Sequence, residues 1–197
     1  MNYNQYKEEA YKTAKEHGFH EQAHSDEHLK CLVISELMEA VEADRKGKRA
    51  DIDAYLKGIE SGKNVANTYR HDTDIYRQTR PEKVFQRHIK DTLEDELADA
   101  CIRLFDLAGV RNIDIYFAGQ IAAEISPQKR FTENILTITR FISGGTEGDP
   151  DDLMIRINYG LSMIFTLAKD LGIDIQKHIE LKMAYNSSRP HKHGKGY

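Results

Sequence analysis

Apolar positions along the chain recur at helical spacing, and no stretch alternates with period two long enough to argue for a sheet. Ile34, Leu37, Met38 and Val41 stand at i, i+3, i+4 and i+7, which predicts a helix with that stripe against a core. Ser25 is its expected cap, Asp26 and Glu27 fall in the first turn, and the helix should run to about residue 46, before Gly47. A first helix is predicted over residues 3–17, ended by Gly18. A third long helix is expected over 82–108, with Leu93, Leu97, Ala100, Cys101, Leu104 and Ala108 on one side. Further helices are expected near 127–142, 151–170 and 174–186, the glycine-rich stretch 144–150 separating the first two. Residues 48–81 are polar, contain Gly58, Gly62 and Pro81, and suggest a short helix within an irregular excursion. The tail, 187–197, is basic and should not be helical. The predicted class is all-α: one domain over 1–197, a four-helix-bundle-like core with additional helices.

An internal echo adds one possibility. Residues 105–115 align with 165–175, with six of eleven positions identical. A shared ancestral helical unit would explain this, although helical sequences share apolar letters easily. The acids would not be repeated, because Glu96 and Asp99 align with Arg156 and Tyr159.

Composition narrows the class. The 197 residues are 40% hydrophobic and 30% charged, with a net charge of −4, so no global basic field points to nucleic acid. Cys31 and Cys101 lie far apart within apolar helical stretches, a pattern of reduced thiols rather than a disulfide framework. No run approaches the roughly 18 apolar residues of a membrane span, and the N-terminus lacks a signal-peptide pattern. The expectation is a soluble, cytoplasmic protein.

The sharpest chemical feature is a pair of acidic motifs, Glu36-Leu-Met-Glu39 and Glu96-Leu-Ala-Asp99. Residues three apart project from one side of a helix, so two such helices packed antiparallel could bring four carboxylates to one point. That is a hard, all-oxygen set suited to Mg²⁺ or Mn²⁺, and the cation would relieve the mutual repulsion. The competing reading is a solvated acidic face, since the chain has 32 acids. Small and apolar neighbours of both motifs favour the metal, as does Ile102, three residues after Asp99. Glu42 reads as a surface acid rather than a further ligand, and Glu94 and Asp95 as first-turn or surface acids.

These stretches resemble the MazG-like family of all-α nucleotide pyrophosphohydrolases, which includes the dimeric dUTPases and dCTP pyrophosphatases. The family's E-x-x-E and E-x-x-D motifs match at 36–39 and 96–99. A third match is Lys182-Met-Ala-Tyr-Asn186-Ser-Ser-Arg189, followed by Lys192 and Lys195. The resemblance covers residues 32–47, 93–109 and 173–195. The 56 residues between Glu39 and Glu96 exceed the connection in compact members, so 48–81 reads as an insertion.

The resemblance implies that Glu36, Glu39, Glu96 and Asp99 hold one or two Mg²⁺ ions that bridge substrate phosphates. A metal-bound water would attack phosphorus, with Glu39 as the catalytic carboxylate that orients or deprotonates it. Lys182, Asn186, Arg189, Lys192 and Lys195 would contact phosphates or sugar. The implied activity is hydrolysis of nucleoside triphosphates to the monophosphate and pyrophosphate, as in house-cleaning of the nucleotide pool. The implied assembly is a homo-oligomer, typically a dimer; a duplicated chain could instead act as a monomer. Two alternatives stand beside it: a non-catalytic helical interaction protein, and the same fold acting on another phosphorylated metabolite.

Other residues carry weaker signals. His20, His24 and His28 are spaced by four, but the Ser25 cap interrupts a helix between them, which argues against zinc. Tyr55, Tyr69 and Tyr76 could stack on a base or anchor the insertion. No glycine-rich phosphate loop of the Walker type is present.

Overall fold

A computed structural model describes residues 2–68, 74–116, 120–145 and 148–191. Among these, nine helices form and no strand does: α1 (Tyr3–Glu16), α2 (Asp26–Arg45), α3 (Ile52–Thr68), α4 (Asp74–Gln78), α5 (Pro81–His88), α6 (Leu93–Arg111), α7 (Phe131–Ser143), α8 (Pro150–Asp170) and α9 (Ile175–Ser187). The all-α expectation holds. No helix among the described residues is long and apolar enough to cross a membrane.

Helix α6 is the axis of the fold. Helices α1, α2, α8 and α9 all pack on it, and α7 lies against α2 and α8. Its sequence suits that place: Leu93, Leu97, Ala98, Cys101, Leu104, Phe105, Leu107 and Ala108 are all buried, so it is apolar nearly all round. The arm α3–α5 stands apart. It meets the rest mainly through α5 and α9, where Phe85 stacks on Tyr185 with ring centroids 4.4 Å apart.

Three expectations need correction. First, residues 82–108 are not one helix. Asp91 takes a left-handed conformation (φ 60°), and Thr92 caps a new helix by accepting the Asp95 amide at 3.3 Å. The break places Glu94, Asp95 and Glu96 in the first turn of α6. Second, residues 48–81 contain a 17-residue helix, α3. Its glycines are points of close approach rather than helix breakers: a Cβ on Gly58 would lie 2.6 Å from Val84, and one on Gly62 2.5 Å from the Thr79 carbonyl. Third, the buried stripe of α2 is Leu29, Val33, Leu37, Ala40 and Ala43, with Glu36 on the same side, while Met38 is exposed. The stripe is rotated from the expected one by one residue, and Ile34 and Val41 flank the core.

The echo reaches the backbone. Both copies end a helix in the same way, with a left-handed residue after the last turn (Asn112, φ 53°; Gly172, φ 71°). In both, the next amide returns to the carbonyl five residues back, Ile113 to Ala108 at 2.9 Å and Ile173 to Ala168 at 2.8 Å.

Candidate metal centre

The two acidic motifs meet where α2 packs on α6. Glu36 and Glu39 come from the middle of α2 and Glu96 from the first turn of α6, and one oxygen of each lies within 4.8 Å of the others. Carboxylates this close could share one hard divalent ion. Glu36 and Glu96 are buried, and Glu39 is exposed. Oxygens of a second triad, Asp91, Asp95 and Glu96, also lie within 4.8 Å of one another, so Glu96 belongs to both.

The fourth predicted ligand sits differently. Asp99 accepts the Lys182 ammonium at 2.7 Å, and the same ammonium reaches Asp95 at 2.8 Å. Lys182 comes from α9 and is only 4% exposed. Its ammonium, expected to contact substrate phosphate, lies between two acids of α6. Glu36 is steadied by Arg103 of α6, whose Nε donates at 3.1 Å.

Burial and crowding shape the electrostatics. Burial pushes the Glu96 carboxyl up to about 8, with Asp99 and Asp95 adding to it. Burial raises Glu36 too, helped by Asp99 and opposed by Arg103. Asp95 is pushed up to about 7, again by burial first, although Lys182 pulls the other way. Burial alone would lower Lys182, but Asp99 and Asp95 outweigh it and hold the ammonium charged. The cluster thus carries more carboxylates than its own cations can balance. An all-oxygen set of this kind, short of positive charge, fits a hard divalent ion such as Mg²⁺ or Mn²⁺.

Glu36 is the triad member that reaches a cleft enclosing about 690 Å³ including its mouth, where Asp99 joins it and Phe19, Ile102 and Met183 supply apolar surface. Glu39 and Glu96 line a second, more open pocket with Lys46, Lys48 and Asp91. Asn186 and Arg189 also line the first cleft. The Asn186 Oδ1 is buried and has no hydrogen-bond partner among the described residues. Arg189 lies over the Tyr185 ring at 5.6 Å, and its carbonyl accepts from His17 Nε2 at 2.8 Å. Lys192 and Lys195 lie outside the described residues.

Glu94 and Asp95 are first-turn acids of α6, but they are buried rather than on the surface: Glu94 takes Arg49 at 2.6 Å and the Ala50 amide at 2.9 Å, and Asp95 is 1% exposed. The signal that could have found them is Thr92, a cap residue followed by three acids. Glu42 pairs with Arg45 and Lys46, as a surface acid would. The three histidines do not converge: His20 goes to Asp106 at 2.7 Å, while the rings of His24 and His28 stack at 4.6 Å. Tyr55 packs edge-on to Phe85 at 6.4 Å and anchors the arm. Tyr69 and the side chain of Tyr76 lie outside the described residues.

Comparison with family models, with curated proteins and with solved structures finds no match, so the centre stands on its own geometry.

Proposed function

We propose that this protein is a Mg²⁺-dependent hydrolase of nucleoside triphosphates or closely related phosphate anhydrides, releasing pyrophosphate and the monophosphate. The observation that carries the reading is the Glu36–Glu39–Glu96 triad, contributed by two helices, whose Glu36 also lines a cleft with apolar surface. Its resemblance to the MazG-like motifs supports the same reading.

Glu36, Glu39 and Glu96 would hold the ion, and Asp99, fixed by Lys182, adds negative charge beside them. The ion supplies charge neutralisation at the phosphates and a more acidic water. This chain's residues do the rest. Glu39 is the exposed member of the triad and is free to take the proton of the attacking water. Arg103 keeps Glu36 oriented. Phe19, Ile102 and Met183 offer apolar surface to a base, and the unpartnered Asn186 Oδ1 can accept a hydrogen bond from the ligand.

The test is pyrophosphate release from a panel of canonical and modified NTPs and dNTPs, with and without Mg²⁺, beside a Glu39→Gln control. Metal-dependent release that the control loses is the expected result. No release from any member by folded, metal-loaded protein would overturn the nucleotide reading. Metal titration of the same two proteins would then separate another phosphorylated substrate from a non-catalytic role.

A further inference from the structure

Lys182 is an unusual occupant of an acidic centre. A buried lysine ordinarily loses its charge or finds a partner; this one has two. Its Nζ lies 2.8 Å from Asp95, 2.7 Å from Asp99 and 5.8 Å from the centre of the Phe85 ring. The two carboxylates stand one turn apart on α6, on either side of Glu96 in sequence, and Glu96 is the residue common to both acidic triads. The ammonium therefore sits where a second divalent ion would have to draw its ligands.

We propose that Lys182 is a resident monovalent cation standing in for a second divalent ion, so that the centre takes one exchangeable divalent ion, in the Glu36–Glu39–Glu96 triad. The proposal rests on the metal reading of that triad and deepens it.

Three observations carry it. Two of the three carboxylates of the Asp91–Asp95–Glu96 triad already hold ammonium groups, Asp91 that of Lys90 and Asp95 that of Lys182. The charges also balance for one ion. With all six carboxylates ionised (Glu36, Glu39, Asp91, Asp95, Glu96, Asp99), they face Arg103, Lys182, Lys90 and Lys48, an excess of two negative charges. One divalent ion cancels it, and a second overshoots before any ligand arrives. Finally, Asp95 has spare capacity: its Oδ1 is buried and without a hydrogen-bond partner among the described residues. Once the ammonium is removed, Asp95 and Asp99 are open beside Glu96.

Lys182 is on this view a positioning residue. It holds Asp95 and Asp99 with a charge that a chelator cannot remove.

The experiment counts bound Mn²⁺ on the full chain by equilibrium dialysis, with electron paramagnetic resonance of the bound ion. The wild type is expected to bind one ion per chain. Lys182→Met is expected to bind two, with a spin-coupled signal arising from the shared Glu96 carboxylate. The Lys182→Met/Asp95→Asn double variant returns to one. A purely structural lysine would lower stability without adding an ion. Two ions on the wild type, or one on folded Lys182→Met, overturns the proposal; no ion on the wild type overturns the metal reading beneath it. Lys182→Gln, which keeps a polar head between the two acids, keeps the test decisive should Lys182→Met fail to fold. It too should bind two ions, and a count of one on the folded variant overturns the proposal.

Discussion

Replacing Lys182 with methionine tests the centre without assuming any activity. The ammonium bridges Asp95 and Asp99, whose side chains are 1% and 19% exposed, and its own side chain is 5% exposed. Removing one partner of a buried ion pair costs about 3–5 kcal/mol, because the remaining charge is left uncompensated. The partial solvation of Asp99 places the expected loss toward the lower end, at about 3–4 kcal/mol. For a chain of this size each kcal/mol moves Tm by roughly 2–4 °C, so a fall of about 10 °C is expected. Urea unfolding in chelator at pH 7.5 measures it. The double variant Lys182→Met/Asp95→Asn should recover at least about 1 kcal/mol, since one stranded carboxylate becomes a neutral amide. Saturating Mn²⁺ should recover part of the loss in the single variant by mass action. A single-variant loss under about 1 kcal/mol would refute the reasoning, for it would mean that the acids do not depend on the ammonium.

Other expectations follow from the same geometry. Glu96 is raised from an ordinary value of 4.5 to about 8, so the folded state keeps a proton that the unfolded state releases. Stability of the metal-free protein should therefore fall as pH rises from about 4.5 to 8, and a denaturation series that showed stability rising across this window would contradict it. Mg²⁺ should flatten the slope. Glu96→Gln should weaken Mn²⁺ binding at least tenfold by calorimetry, since it removes the ligand common to both triads. Thr92→Ala removes the cap of α6 and should cost about 1 kcal/mol, read as a fall in urea midpoint. Phe85→Ala removes the stack on Tyr185, and hydrogen exchange should then speed up in α3–α5 while α6 stays protected.

The all-α class was legible in the chain, and so were helix ends marked by an explicit cap or glycine, such as Ser25 before α2 and Gly18 after α1. These are local effects: periodicity and capping act within a few residues, so they can be read along the chain. Sequence also singled out Glu36, Glu39 and Glu96, because i, i+3 spacing on a helix is itself geometry. The tertiary structure decided the rest. Whether Glu36 faces the core depends on which side of α2 meets α6, and a shift of one residue, about 100°, separated the expected stripe from the real one. Gly58 and Gly62 look like helix breakers in the chain, but they sit within α3 because Val84 of α5 and the Thr79 carbonyl pack close against them. Asp95 and Lys182 stand 87 positions apart, and neither motif names the other. Charge pairing of that kind exists only once α9 lies along α6, because Coulomb attraction depends on distance in space and low dielectric, and neither is a property of the chain's order.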